Sequence, residues 1–348
     1  MQAVTVAPGD RRSAGVEEIG EPPEHDGSVL VEGLFIGICG TDAEIVAAGY
    51  GQPPAGHERL VLGHESLGRV LEAPKGSGLA AGDLVAGIVR RPDPEPCACC
   101  AQQEWDMCRN GGYVERGIKG RDGYGSQRWR VDPEFAVPVD AALGDLGVLL
   151  EPTSVVAKAW EQVERIGARA CYQPSTVVVT GAGPIGLLAA LLGVQRGLDV
   201  HVVDRVTDGP KPALVRDLGA TYHSEPIDKI GVAADVAIEC TGIGQLVFGL
   251  VAGAAPNAVI CLAGLAAGSE QTPTALDAVN RGLVLGNQVL FGSVNAARRH
   301  YEQAADALAA ADAGWLGRVV SRRVPMADWP SALDRQPDDV KVVVDLTA

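Results

Sequence analysis

Cys39-Gly40-Thr41-Asp42 and, 25 positions after its cysteine, Gly63-His64-Glu65 supply a soft thiolate, an imidazole and a carboxylate. Those donor types suit a tetrahedral Zn²⁺, and three protein ligands leave a position open for a substrate oxygen, which distinguishes a catalytic zinc from a structural one. Asp42 is a candidate acceptor for the second imidazole N–H, fixing the tautomer and raising its basicity. Glu65 reads either as a ligand or as the holder of a zinc-bound water. Glu151, beside Pro152 at the head of a helical stretch, reads as facing the same cleft or as a helix-start carboxylate favoured by the dipole.

All of this lies upstream of Gly181-Ala182-Gly183-Pro184-Ile185-Gly186, which follows the apolar run Val177-Val178-Val179 and opens an apolar helical segment. In that context Gly181 permits a tight turn, Gly183 lets the backbone approach a pyrophosphate, and Gly186 allows close helix-on-strand packing. The phosphates would meet the positive end of the helix. Val200-His201-Val202-Val203-Asp204 then ends in a carboxylate 18 positions after the last fingerprint glycine, placed for the ribose hydroxyls and repelling a 2′-phosphate. That favours NAD, while Arg205 beside it keeps NADP use open. A zinc and a nicotinamide on one chain imply alcohol oxidation.

Cys97-Ala98-Cys99-Cys100 and Cys108 place four thiols in twelve residues, enough to close around a structural Zn²⁺. The adjacent pair Cys99 and Cys100 cannot easily reach one ion together. The firm members are Cys97, Cys100 and Cys108, with Cys99 or Asp93 as the fourth.

The elements that must position these groups obey two grammars. Short alternating segments at Ala3 to Val6, Ser28 to Ile36, Ser66 to Glu72, Leu84 to Val89 and Gln127 to Val131 read as an antiparallel, barrel-like domain. A helical pattern over Gly144 to Ala168 connects it to a second domain. There, strands at 176–180, 200–203, 236–239, 258–262 and 289–292 alternate with helices at 184–195, 213–218, 246–252 and 275–285. This predicts βαβ units and a doubly wound parallel sheet, an α/β Rossmann fold. One amphipathic helix over Ala296 to Ala313 and a strand over Val340 to Asp345 return to the first domain. The expected division is therefore 1–165 with 295–348 for the catalytic domain, and 166–294 for the dinucleotide-binding one.

The chain has 348 residues, 47% of them hydrophobic, a size and composition that support two buried cores. A net charge of −15 argues against a nucleic-acid partner or an anionic membrane surface. The longest apolar run is too short for a membrane span, and the first residues lack the pattern of an export signal. Eight cysteines, half of them clustered, suit metal ligation in a reducing compartment, so a cytoplasmic location is expected.

In their order of ligands, cysteine lobe, connecting helix, fingerprint and returning tail, these residues resemble the zinc-dependent medium-chain alcohol dehydrogenases over nearly the whole chain. Within that family the chain is most similar to microbial glucose 1-dehydrogenases. Cys39-Gly40-Thr41-Asp42 with Glu44, Gly63-His64-Glu65, Arg90-Arg91-Pro92, Glu115-Arg116-Gly117-Ile118, Glu151-Pro152 and Gly292-Ser293-Val294-Asn295 carry the likeness. It implies a GroES-like catalytic domain and a catalytic zinc surrounded by Cys39, His64, Glu65 and Glu151. It also implies that Thr41, Glu115, Glu151 and Asn295 meet the sugar. Its implied cofactor set is Gly181, Gly183, Pro184, Ile185, Gly186, Asp204, Arg205, Thr241, Ser293 and Asn295. The family's cysteine spacing, C-x2-C-x2-C-x7-C, finds Pro94 at its first position here.

The implied reaction oxidises an aldose, D-glucose foremost, at C1 to the lactone, with hydride passing to NAD(P). Thr41 is the first proton acceptor, and Glu44 or Glu65 carries the proton onward. A polyol or cyclitol dehydrogenase of the same family is the nearest alternative. A nucleotide-binding protein without metal conflicts with intact Cys39, His64 and Glu65; a zinc-ribbon nucleic-acid binder conflicts with the acidity. The family resemblance further implies a homo-dimer or homo-tetramer joined at sheet edges, with Val289-Leu290-Phe291 as the candidate edge.

Overall fold

A computed structural model describes residues 1–266 and 276–348. The chain divides into two compact units, Met1–Ser154 with Asn295–Ala348, and Val155–Val294. The division falls inside the helix Leu150–Gly167, eleven residues before the boundary expected from sequence.

In the first unit, seven strands form one sheet in the order Ala136–Val139, Leu84–Gly87, Glu65–Glu72, Val29–Ile38, Lys341–Asp345 and Val320–Pro325, with Arg128–Val131 also paired to Val29–Ile38. A three-stranded sheet of Asp10–Glu18, Gln2–Ala7 and Leu60–Val61 accompanies it. The β-branched residues Val4, Val6, Ile36, Ile38, Val342 and Val344 alternate inward and pack with Leu60, Leu62 and Trp329 into one buried cluster. Each such aliphatic side chain contributes about 1.5–3 kcal/mol by leaving water.

The registers of three neighbouring strands bring distant residues to one end of this sheet. Gly37 lies opposite Glu65 on one side and Val343 on the other, and Ile38 lies opposite Val342. Cys39, Glu65 and Lys341 are thereby gathered at adjacent strand ends. A side-chain carbon on Gly37 would overlap both Glu65 and Lys341, so only glycine leaves room for them.

The second unit is a six-stranded parallel sheet in the order Thr221–His223, Asp199–Val203, Thr176–Thr180, Ala234–Glu239, Ala254–Leu262 and Val289–Gly292. Thr176–Thr180 sits centrally, paired with Asp199–Val203 and Ala234–Glu239. The helix Pro184–Gln195 is buried from Gly186 through Gly193, which explains its apolar composition all round.

Three expectations need correction. The helical stretch from Gly144 begins instead as a 3₁₀ segment, Ala141–Leu149, with Gly144 at φ 53° and ψ −128°; the α-helix proper starts at Leu150. That backbone conformation suits glycine alone. The single helix expected over Ala296 to Ala313 is two: Arg298–Ala309, then Ala313–Val319 capped by the Asp312 carboxylate on the Trp315 N–H at 2.7 Å. An N-cap inside the amphipathic pattern starts a new helix where periodicity alone continued the old one. The expected strand Leu84 to Val89 ends at Gly87, and Arg90–Arg91 opens another small sheet with Val114–Arg116 and Gly120–Arg121. The helix expected from Ala275 is Leu276–Gly286, and Ala275 itself lies outside the described residues. Among the described residues, no helix is long and apolar enough to cross a membrane.

Candidate active site

Cys39 ends the strand Val29–Ile38 and is the N-cap of the helix Gly40–Ala48. Its sulfur accepts the Thr41 N–H at 3.3 Å, while the Asp42 carboxylate reaches back to accept the Cys39 N–H at 2.9 Å. This reciprocal cap holds the thiol at the positive end of the helix, where negative charge is favoured. Gly63, at φ 93°, turns the chain so that His64 faces it; any side chain there would press on Gly125 and Ile36.

His64 Nε2 lies 3.1 Å from Cys39 Sγ, and His64 Nδ1 lies 3.6 Å from Asp42 Oδ1. Ligand atoms of Cys39, His64 and Glu65 all fall within 4.8 Å of one another. Two ligands on a tetrahedral Zn²⁺ stand about 3.6 Å apart, so the thiol and imidazole need only a small parting to share one ion. A buried carboxylate behind the imidazole completes a donor set that fits zinc. Burial pulls the His64 imidazole down, but Cys39 and Asp42 more than offset it and leave its pKa well above the ordinary 6.5. Burial in turn raises the Asp42 carboxyl against the pull of His64.

Glu65 is shared. Its carboxylate forms an ion pair with Lys341, which is itself fully buried and donates to the Ile38 carbonyl at 3.1 Å. Burial lowers the Lys341 ammonium, yet Glu65 and Cys39 hold its pKa above the usual value. Glu151 is buried outside the group of three, and burial followed by the charge of Glu65 lifts its carboxyl to about 7. Thr41 and Glu44 are half-buried on the first turns of the capped helix. Lys341 had no signal in the sequence beyond being a charge in an apolar strand.

The residues implied for a sugar meet as well. Asn295, in the left-handed region at φ 61°, donates from Nδ2 to Glu115 Oε1 at 2.8 Å across 180 positions of sequence. Arg90, opposite Glu115 in the small sheet, donates to the same oxygen from Nε at 3.1 Å and Nη2 at 2.9 Å. In the sequence Arg90 stands out only as part of Arg90-Arg91-Pro92. Tyr50 carries no signal in the sequence; burial, then the charges of Glu115, Tyr113 and Glu44, raise its phenol pKa.

In the cysteine segment, ligand atoms of Cys97, Cys100 and Cys108 come together, with Cys97 and Cys100 sulfurs 3.7 Å apart. These thiols supply three of the four ligands that a structural zinc takes. Backbone N–H groups of Arg109 and Cys100 lower the Cys97 thiol to about 6, whereas burial pushes Cys100 up to about 11. Cys99 lies outside the group, and the Asp93 carboxylate is occupied by the Glu95 and Gly112 N–H groups at 2.9 Å each.

In the parallel-sheet unit, Gly181 has φ 87°, and a side-chain carbon on Gly186 would overlap the Gly181 carbonyl oxygen. Gly183 caps the helix that Pro184 opens, with Ile185 next in its first turn. Asp204 Oδ2 accepts the Ala182 N–H at 2.7 Å, tying the carboxylate expected at the ribose to the fingerprint loop. The cation beside Asp204 is Lys211 at 3.5 Å; Arg205 is exposed. Thr241 is anchored by Glu239, which is buried and also accepts from Thr180 Oγ1 at 3.1 Å and from the Gly242 N–H at 3.0 Å. Ser293 donates its N–H to the Leu262 carbonyl at 2.9 Å.

Comparison with known proteins gives matches along nearly the whole chain. Residues 25–141 match the alcohol dehydrogenase GroES-like domain, and residues 144–346 match the glucose dehydrogenase C-terminus. A glucose 1-dehydrogenase of Methanocella arvoryzae is 37% identical over 100% of both chains, and one of Thermoproteus tenax is 37% identical over 99% of both. The solved structure of Haloferax mediterranei glucose dehydrogenase in complex with NADP, Zn and gluconolactone is 31% identical, covers 99% of each chain and superposes with a TM-score of 0.91. With its metal-type donors on the GroES-like unit and its glycine fingerprint on the parallel sheet, the chain belongs to the zinc-dependent medium-chain alcohol dehydrogenases, among the relatives of microbial glucose 1-dehydrogenases.

Proposed function

We propose that the protein oxidises an aldose, D-glucose foremost, at C1 to the lactone, with NAD(P) as hydride acceptor. The carrying observation is the Asn295–Glu115 contact at 2.8 Å, which joins polar residues from the two sequence segments of the catalytic unit into one hydrogen-bonding group. Paired polar groups of this kind select substrates whose hydroxyls can complete them. The names of the Methanocella and Thermoproteus relatives, and the gluconolactone in the Haloferax structure, support the same substrate class.

Cys39 and His64 would hold the catalytic Zn²⁺, with Glu65 and Glu151 sharing the remaining positions with water and substrate. When bound there, zinc supplies Lewis acidity to the sugar hydroxyl oxygen, and the nicotinamide supplies the hydride acceptor. Asp42 keeps the imidazole oriented. Thr41 takes the hydroxyl proton, and the half-buried Glu44 passes it outward. Glu115, Glu151 and Asn295 bind the sugar hydroxyls. In the other unit, Gly181 to Gly186 receive the pyrophosphate, Asp204 the ribose, and Thr241 and Ser293 line the nicotinamide side. Asp204 favours NAD, and Lys211 beside it offers a cation to a 2′-phosphate, so both cofactors belong in the test.

We further propose a homo-dimer or homo-tetramer. Val289–Gly292 is an edge of the parallel sheet, and the helix before it exposes Leu276, Val284 and Leu285, each more than 60% accessible. A reducing, cytoplasmic setting fits eight cysteines that are all free.

The deciding experiment compares kcat/KM for glucose, galactose, xylose, sorbitol and simple alcohols, each with NAD and with NADP. Aldoses should lead by at least tenfold. A lead for sorbitol would replace this reading with a polyol dehydrogenase.

A further inference from the structure

We infer that Arg90 is the positioning residue that aims Glu115 at a sugar hydroxyl, an inference that rests on the aldose reading above. Arginine commonly meets a carboxylate as a fork, two nitrogens on two oxygens. Here the arrangement is different. Arg90 Nε and Nη2 and Asn295 Nδ2 all donate to the single oxygen Oε1, at 3.1, 2.9 and 2.8 Å. Among the described residues no hydrogen bond reaches Oε2. One oxygen is saturated by the protein, and the other remains an acceptor held in a fixed direction. The chemical partner for such an oxygen is a hydroxyl donor; a phosphate or carboxylate there would meet like charge.

The guanidinium is immobilised on its other sides. Arg90 Nη1 donates to the Asp106 carbonyl at 3.1 Å, within the turn Trp105–Met107 that leads into Cys108. The Tyr113 ring lies 3.8 Å from the guanidinium carbon. Side chains of Arg90 and Glu115 are only 6% and 10% exposed, so neither can swing into solvent. Five donors in a rigid plane allow this simultaneous anchoring, which a lysine cannot reproduce. Without Arg90, the carboxylate keeps only Asn295 and loses the constraint that leaves Oε2 free.

The test uses the full-length enzyme and the four monodeoxy-glucoses lacking the hydroxyl at C2, C3, C4 or C6. Wild type should penalise one of them most in kcat/KM, identifying the hydroxyl that Glu115 receives. In Arg90→Met, the glucose KM should rise tenfold or more, kcat and the KM for NAD(P) should change less than threefold, and that penalty should shrink at least fivefold. Arg90→Lys keeps the buried positive charge and therefore separates positioning from stability: it should retain the wild-type melting temperature within a few degrees yet still lose most of the discrimination. A merely structural role would lower stability and active fraction while leaving the deoxy-sugar penalty at its wild-type value in the folded enzyme. An unchanged penalty in Arg90→Lys overturns the inference, whatever the fate of Arg90→Met. Absence of aldose turnover in the wild type sinks the sugar reading, and this inference with it, before any variant is made.

Discussion

Lys341 and Glu65 form an ion pair closed off from solvent, at the end of the strand that separates them, with Gly37 making the space. The pair neutralises a carboxylate that the metal-type group also uses, so its loss should be felt in both stability and metal retention. Breaking a buried pair from one side typically costs about 3–5 kcal/mol, because the partner is left charged and dry. Lys341→Met should therefore shift the denaturation midpoint sharply downward. Adding Glu65→Gln should recover much of that loss, and a double variant no more stable than Lys341→Met would show that the charge on Glu65 is not the cause.

Arg322 and Asp339 give a pH-dependent contribution of a different kind. Arg322 Nε and Nη2 donate to the two carboxylate oxygens at 3.0 and 2.7 Å, and the Gln336 N–H adds a third bond at 2.8 Å. The Arg322 hydrogen bonds hold the Asp339 carboxyl below its ordinary 3.8, against a smaller opposing effect of burial. A depressed carboxylate pKa stabilises the fold above the unfolded value and loses that stabilisation as pH falls through the folded one. Asp339→Asn should lower stability near neutrality by about 1 kcal/mol, allowing for partial solvent screening. It should also flatten the loss of stability below about pH 4, read from urea midpoints across pH.

For the cysteine segment, the structure separates residues that look equivalent in sequence. Cys100→Ser should lower the metal-to-chain ratio by about one equivalent in elemental analysis, since its sulfur belongs to the three-thiol group. Cys99→Ser should leave the ratio unchanged. Equal losses in the two variants would put Cys99 into the ligand set.

Glu239 organises the loops at the C-terminal ends of the central parallel strands, binding Thr180, Thr241 and Gly242 with one carboxylate. Glu239→Gln replaces one acceptor oxygen with an N–H that faces donors. Each charged hydrogen bond lost is worth about 1.5–3 kcal/mol. NADH affinity, measured by fluorescence titration, should fall at least tenfold, with the zinc content of the catalytic unit unchanged.

Much of this could be read from the chain because the informative signals are local. The fingerprint from Gly181 to Gly186 is a short loop whose backbone demands specific residues, and Asp204 comes at a strand end fixed by the same βαβ unit. Cys39 and His64 stand out because their residue types are chemically conspicuous. Lys341 does not: its meaning depends on which strand lies beside Val29–Ile38, a pairing that brings it to Ile38 across 303 positions. Arg90 was legible as a motif member but not as the partner of Glu115, because antiparallel register put them opposite each other. Lys211 rather than Arg205 meets Asp204 because the helix Pro210–Asp217 folds its first turn back over the strand end, which sequence adjacency hides. The two helices between Arg298 and Val319 look like one in the sequence because an amphipathic pattern continues across the Asp312 cap.

The placement of Lys341–Asp345 beside Val29–Ile38 also sets a timetable for biosynthesis. At roughly 5–20 residues per second, a ribosome needs about 15 to 55 seconds to travel from Glu65 to Lys341. Once Arg128–Val131 has paired with the first half of Val29–Ile38, the nascent sheet keeps an open edge at Phe35 to Ile38, and Glu65 lacks the cation that later covers it. The whole parallel-sheet unit emerges in between and can fold as a body of its own. The catalytic unit is thus begun first and closed last, and during its wait an unpaired strand edge is open to pairing with other chains.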